Sequence, residues 1–95
     1  MRSYELTVII DPEIAEEDVP QTMEKLTAII ARSGGNINEV NRWGRRKLTY
    51  PIEHRGEGNY VMMKLELEPG KVSEFEGSLN LAEEYLRHLL VRLGD

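Results

Sequence analysis

The strand pattern between residues 60 and 68 constrains this chain more than any other feature of its sequence. Every second residue in this stretch is apolar, and the residues between them include a lysine and a glutamate. Alternation with a period of two is typical of a β-strand that has one face on a core and the other in solvent. A sheet of such strands needs a covering layer on one side only, which favours an α+β fold. The apolar positions are Val61, Met63, Leu65 and Leu67.

Two segments with helical periodicity can supply that covering layer. The first follows a cluster of acidic residues at 16–18, which suits the positive end of a helix dipole, and Gly34-Gly35 end it. The second is shorter and follows Pro69-Gly70. Apolar residues recur in both at the spacing of one helix face. They are Val19, Met23, Leu26 and Ile30 in the first segment and Val72, Phe75 and Leu79 in the second.

Extended patterns at residues 4–10, 36–52 and 85–93 complete the order β-α-β-β-α-β. With right-handed crossovers, this order predicts an α+β fold of the ferredoxin-like, split β-α-β type. Such a fold is a sandwich in which two helices cover one face of a four-stranded antiparallel sheet. We expect the first and third strands in the centre and the opposite sheet face open to a partner. Apolar residues occupy both odd and even positions of the last strand, so the sequence does not show which of its faces is buried.

The second strand carries two irregularities. Gly44 interrupts its pattern and predicts a bulge or bend, after which extended chain resumes at residues 48–52. Pro51 has no N–H to donate, which confines this stretch to a sheet edge or the arm of a protruding hairpin. We predict the turn at Arg55-Gly56-Glu57-Gly58, with the third strand starting at Tyr60.

Length and composition limit the class of protein. Ninety-five residues suit one domain, here residues 1–95. The absence of cysteine excludes disulfides and thiolate metal sites and fits a reducing, cytoplasmic compartment. We see no signal peptide and no apolar run long enough to span a membrane, so we expect no membrane partner.

The sequence offers no convincing catalytic or metal-ligating set. His54 and His88 lie in different elements and make no metal-ligand spacing. Carboxylates at 16–18 are explained by the helix start they precede. We therefore expect no cofactor and no enzymatic activity.

Positive charge is concentrated in one stretch, although the formal net charge is −5. Residues 42–55 carry five basic groups and one acidic group, Glu53. Basic side chains mixed with aromatics on a hairpin suit a folded RNA backbone, because arginine bonds phosphates in a bidentate way. An edge strand that uses charge to prevent aggregation explains the same residues equally well. The basic residues are Arg42, Arg45, Arg46, Lys47 and Arg55.

Base stacking on the sheet, as in RNA-recognition motifs, is not favoured by the sequence. That motif places aromatics at set positions after a basic residue and a glycine. Here Arg55-Gly56 is followed by Glu57 and Asn59 at those positions, and Tyr60 comes one place late.

Four segments of the chain resemble the bacterial small-subunit ribosomal protein six family. They are the opening Met-Arg-Ser-Tyr-Glu, the block from Trp43 to Ile52, the strand that starts at Tyr60 and the ending from Tyr85 to Arg92. The middle block, Trp-Gly-x-Arg-x-Leu-x-Tyr-Pro-Ile, is the specific one. Two positions depart from the family pattern: Thr49 replaces the usual alanine, and Asn80 stands where arginine is frequent.

The resemblance implies a ferredoxin-like constituent of the small ribosomal subunit in the cytoplasm. Its expected partners are the central domain of small-subunit ribosomal RNA and small-subunit ribosomal protein eighteen. With the hairpin cations, the expected RNA-binding residues are Arg2, Arg42, Arg45, Arg46, Lys47, Arg55 and Arg92. Expected contacts to the partner protein or within the hairpin are Trp43, Leu48, Tyr50, Pro51 and Ile52.

Two other classes share this topology. A small-molecule-sensing regulatory domain would bind its ligand at a dimer interface, but it does not need a basic hairpin. An enzyme of the dimeric α+β barrel type would need an acid–base pair that the sequence lacks. The acidic surface outside the hairpin predicts a monomer for the isolated protein.

Overall fold

The computed structural model describes residues 1–52 and 54–94. Its strands are β1 (Arg2–Ile10), β2 (Asn36–Ile52), β3 (Arg55–Leu67) and β4 (Tyr85–Leu93). Its helices are α1 (Val19–Arg32), which follows a 3-10 turn at Glu16–Asp18, and α2 (Val72–Leu81), which follows one at Pro69–Lys71. The predicted element order is therefore confirmed.

The four strands form one antiparallel sheet in the order β2-β3-β1-β4. As predicted, β1 and β3 are central and β2 lies at an edge. Alternation in the two central strands sends one set of side chains into a core that the helices cover. Phe75 and Leu79 of α2 and Leu26 and Ile30 of α1 are almost completely buried in that core. The helix-side residues of the central strands are Tyr4, Leu6, Val8, Ile10, Val61, Met63, Leu65 and Leu67.

The structure settles which face of β4 is buried. Leu90 packs against the core, whereas Leu89 and Val91 are exposed on the other face of the sheet. That face carries no helix, and we call it the open face. The sequence could not decide the parity of β4 because both of its faces carry apolar residues.

The predicted turn at residues 55–58 is wrong. Arg55, Gly56 and Gly58 lie within β3, which begins at Arg55 rather than at Tyr60. The turn precedes Arg55, and His54 adopts a positive φ of 68° there. Glu53 and Asp95 lie outside the described residues. The glycines misled the prediction because Gly58 serves close packing: a Cβ there would lie 2.3 Å from the Cγ2 of Ile9.

The bulge predicted at Gly44 is confirmed. Gly44 has a φ of 80°, and the register of β2 against β3 shifts between Arg42 and Gly44. β2 nevertheless continues through it as one 17-residue strand. A second irregularity follows, because Lys47 pairs with Glu57 while Ile52 pairs with Arg55. Residues 48–51 therefore form an arch opposite a single residue of β3.

The arch bends over the open face of the sheet. The hydroxyl of Tyr50 accepts a 2.7 Å hydrogen bond from Nη1 of Arg87 on β4, at the far edge of the sheet. Leu48 lies over Gly58, with its Cδ2 3.6 Å from the position of a Cβ on that glycine. Pro51 is exposed on the arch. β2 is therefore an edge strand whose C-terminal end folds back onto the sheet.

Candidate nucleic-acid interface

The basic residues of β2 are divided between the two faces of the sheet. Directly paired residues share a face, so a residue's partner on β3 indicates where its side chain lies. Arg42 pairs with Val61 and Arg45 with Asn59, which are both buried on the helix side. Arg46 pairs with Gly58, which faces Ile9 on the open side. The cluster that looks continuous in the sequence is therefore two sets in space.

Arg45 is held by groups of its own chain. Its Nη2 donates a 2.7 Å hydrogen bond to the carbonyl oxygen of Pro12, and its Nη1 donates one of 3.1 Å to Oε1 of Glu57. Its Nε lies 4.0 Å from Oε1 of Glu16. The other oxygen of the same Glu16 carboxylate lies 3.4 Å from Nη2 of Arg42. Glu16 therefore joins both helix-side arginines to the segment between β1 and α1.

Arg55 is held by the same segment. Its Nε and Nη2 each donate a 3.1 Å hydrogen bond to the carboxylate of Asp11, and its guanidinium also pairs with Glu13. Asp11 is additionally bonded at 3.0 Å by the backbone N–H of Glu13. The side chain of Asp11 is only 17% exposed. Three of the five hairpin cations are thus neutralised by carboxylates from outside the basic stretch or beside it.

The open-side cation lies on an aromatic pair. The guanidinium of Arg46 is 5.2 Å from the centre of the Trp43 ring, within the range of a cation–π contact. Trp43 in turn lies nearly parallel to Tyr60, with ring centres 6.5 Å apart and planes 13° apart. The indole is 48% exposed. Trp43 is therefore a surface residue at the root of the hairpin and not a core anchor.

Arg46 and Lys47 differ from the other hairpin cations in their partners. Both are exposed, and neither forms an ion pair within residues 1–52 and 54–94. Their positive charges remain available to an external anion.

Arg2 and Arg92 lie at the other end of the sheet. Arg92 pairs with Tyr4, whereas the hairpin cation Arg45 pairs with Asn59 opposite Ile10. At about 3.3 Å per residue, Arg92 is roughly 20 Å from the hairpin along the strands. Arg2 lies on β1, two residues further from the hairpin than Tyr4, the residue that pairs with Arg92. The structure therefore does not bring the seven predicted RNA-binding residues together in one surface.

Arg87 is a candidate that the sequence analysis missed. It lies on the open face, pairs with Ile9 and bonds the hydroxyl of Tyr50. Its alternation with Leu89 and Val91 on β4 is the signal that could have identified it, but the parity of that strand was undetermined.

An apolar groove lies between the arch and the open face. Its cavity volume is about 310 Å³, and its walls include Leu48, Tyr50 and Ile52 of the hairpin. Ile9 and Tyr60 also line it, and so does Leu89, which is 62% exposed. Most of the residues expected to contact a partner protein or the hairpin thus meet at this groove.

Other site chemistry is lacking in the described ranges, residues 1–52 and 54–94. No three potential metal ligands come together there. His54 and His88 remain apart, since His88 is paired at 2.7 Å with Glu76 of α2 and His54 lies in the hairpin turn. None of the described helices is both long and apolar enough to cross a membrane.

Comparison with known proteins gives a consistent result. Residues 3–92 match the family model described as Ribosomal protein S6. The chain is 42% identical over 92 residues to small ribosomal subunit protein bS6 of Saccharopolyspora erythraea, covering 97% of this chain and 78% of that protein. It is 35% identical to bS6 of Desulforamulus reducens over the full length of both. The crystal structure of 30S ribosomal protein S6 from Thermotoga maritima has a TM-score of 0.88 and 30% identity, covering 96% of this chain and 86% of the other.

Proposed function

The chain belongs to the ribosomal protein S6 family, and from this premise we propose that it binds the central domain of small-subunit ribosomal RNA together with small-subunit ribosomal protein eighteen. The family match over residues 3–92 carries this proposal. Membership gives the coarser role directly: a structural, non-enzymatic constituent of the small ribosomal subunit.

Two hairpin cations that have no ion pair among residues 1–52 and 54–94 support the RNA contact. Arg46 and Lys47 are both exposed, and Arg46 lies over Trp43, which offers an aromatic surface beside its positive charge. Arginine bonds phosphate oxygens in a bidentate way, and an indole can pack on a sugar or a base. A small basic surface on an otherwise acidic protein gives weak RNA affinity on its own, because the rest of the chain repels the phosphates.

The open face supports a protein partner. It carries the apolar groove and the exposed side chains of Leu89 and Val91, which no helix covers. A basic partner seated next to the hairpin would supply positive charge that this chain lacks, and it would extend the surface presented by Arg46 on the open face. Without that partner the isolated protein is a monomer, since its net charge of −5 opposes self-association.

The RNA that the protein retains in cells tests this proposal. A tagged copy is pulled down from a bacterial lysate, and the associated RNA is trimmed with nuclease and sequenced. The expected result is enrichment of small-subunit ribosomal RNA, with the protected fragments in its central domain. Recovery of unrelated RNA, or of a bound small molecule without RNA, would favour the sensing-domain alternative.

A further inference from the structure

We propose that Arg45 and Arg55 are positioning residues, which fix the hairpin against the segment between β1 and α1, and that Arg46 and Lys47 make the phosphate contacts. This inference rests on the proposed RNA-binding function and refines it. It divides a cluster that the sequence presents as one patch into a structural half and a binding half.

Arg45 makes more contacts within its own chain than we would expect of a side chain that is free to bind RNA. Its guanidinium binds a backbone carbonyl at 2.7 Å and a cross-strand carboxylate at 3.1 Å at the same time. A planar fork with five N–H groups can do this, whereas the point charge of lysine cannot reproduce the geometry. An RNA phosphate would have to displace both Pro12 and Glu57 before it reached Arg45. The exchange would replace existing charge-assisted bonds and not add new ones.

The same argument applies to Arg55 at the end of the hairpin. Its two bonds to Asp11 are parallel, and Glu13 joins the same guanidinium. Together, Arg45 and Arg55 attach both strands of the hairpin to the chain segment that leaves β1. Their spacing on either side of the arch restricts how the arch can move. The arch path in turn sets where Arg46 and Lys47 project.

The local charge balance explains the division of roles. Four carboxylates, from Asp11, Glu13, Glu16 and Glu57, lie within ion-pair distance of the arginines on this side. They cancel the positive potential there and screen it from an approaching phosphate. Arg46 lies on the open side, and Lys47, which pairs in register with Glu57, lies on the helix side next to this group, but no described carboxylate is within ion-pair distance of either cation. The salt dependence of RNA affinity, which measures counterion release, should therefore reflect phosphate contacts by Arg46 and Lys47 and not by Arg45.

Trp43 provides a readout of hairpin position that needs no RNA. It is the only tryptophan in the chain, lies two residues from Arg45 and stacks on Tyr60. If Arg45 fixes the strand, then replacing it should loosen this stack and raise the quenching of Trp43 by acrylamide. Lys47→Gln is the matched control, because it removes a cation of the same hairpin that forms no ion pair with the residues the structure describes.

The experiment combines two measurements on the full chain. Acrylamide quenching is measured for wild type, Arg45→Gln, Arg45→Lys and Lys47→Gln. Binding of a central-domain ribosomal RNA fragment, with small-subunit protein eighteen present, is then titrated at several salt concentrations. We expect both Arg45 variants to raise the quenching constant about two-fold through local loosening, with no change for Lys47→Gln. We expect Lys47→Gln to make the salt slope shallower by about 0.7 to 0.9, and Arg45→Gln to weaken binding without changing that slope.

Glu57→Gln gives an independent check that leaves every cation in place. If Glu57 helps to position Arg45, the variant raises Trp43 quenching. Unchanged quenching in this variant would mean that Glu57 does not hold Arg45 in place, and it would overturn the inference. A shallower salt slope in Arg45→Gln with unchanged quenching would overturn it as well. If wild type binds no RNA, the proposed function fails, while the quenching comparison still decides whether Arg45 positions the hairpin.

Discussion

Arg55 donates two hydrogen bonds of 3.1 Å to the carboxylate of Asp11. These bonds join the start of β3 to the end of β1, 44 positions apart in the sequence. Burial by itself would raise the pKa of Asp11, but the hydrogen bonds from Arg55 and from the N–H of Glu13, with the charge of Arg55, lower the pKa below its usual value. The contact therefore stabilises the fold in a pH-dependent way.

Replacing Arg55 by glutamine should cost about 1.5 to 3 kcal/mol of unfolding free energy at pH 7, the range of a hydrogen bond to a charged group. Because the pKa of Asp11 is lower in the folded state, the unfolded chain takes up this proton first as the pH falls. The stabilisation is complete above the unfolded pKa of about 4 and is lost as the pH falls through the folded value. Urea unfolding of both proteins at several pH values should show their stabilities converging below about pH 4.

Lys47→Gln is the control for this comparison, because Lys47 is exposed and should change stability by less than about 0.5 kcal/mol at any of these pH values. A difference between wild type and Arg55→Gln that stayed constant down to low pH would contradict the assigned role of Asp11.

The strands could be predicted from the sequence because β1 and β3 alternate cleanly and the helices show apolar stripes. The turn could not, since two glycines at 56 and 58 gave a stronger turn signal than the true one. His54 takes the positive φ instead, a conformation in which histidine is more common than most non-glycine residues. Gly58 is needed where two strands approach closely, and that requirement depends on Ile9, a residue far away in sequence.

Gly58→Ala should therefore destabilise the protein. Ile9 is buried, and the atom that a new Cβ would meet at 2.3 Å is the branch methyl on its Cβ, which can move away only if Ile9 changes its χ1 rotamer or the strand shifts. Overpacking of this kind costs about 1 to 3 kcal/mol. Gly56→Ala is the matched control two residues away, where a Cβ meets nothing within 4 Å. Equal denaturation midpoints for the two variants would show that Gly58 has another role.

Gly77→Ala should have the opposite effect. Gly77 is an exposed interior residue of α2, and an added Cβ would contact nothing within 4 Å. Alanine is favoured over glycine in a helix by about 1 kcal/mol, so the thermal midpoint should rise. Differential scanning calorimetry measures the change. A lower midpoint would indicate that α2 needs the flexibility of this glycine.

The sequence predicts a candidate site in the basic stretch at residues 42–55, but it could not predict which of the cations there are paired in the fold. Counting charges in residues 42–55 gives a strongly positive stretch, yet the partners of Arg42 and Arg55 come from residues 11–16, more than 25 positions earlier. Only the fold places those carboxylates beside the hairpin. Counting charges along the sequence gives the net charge of a surface patch correctly only where no element distant in sequence packs against that patch.

RNA binding should depend strongly on the partner protein. With three of the five hairpin cations already paired, Arg46 and Lys47 provide little phosphate affinity alone, and the acidic remainder of the chain opposes binding. A basic protein on the open face would add its own contacts and offset that repulsion. Titration of a central-domain RNA fragment with this chain should therefore show an RNA affinity at least tenfold higher when small-subunit protein eighteen is present, equal to about 1.4 kcal/mol of coupling.

By linkage, the RNA should increase the affinity between the two proteins by the same factor, which calorimetry of the protein pair with and without RNA can check. Equal RNA affinity with and without the partner would mean that the two exposed cations suffice, and the cooperative model would have to be abandoned.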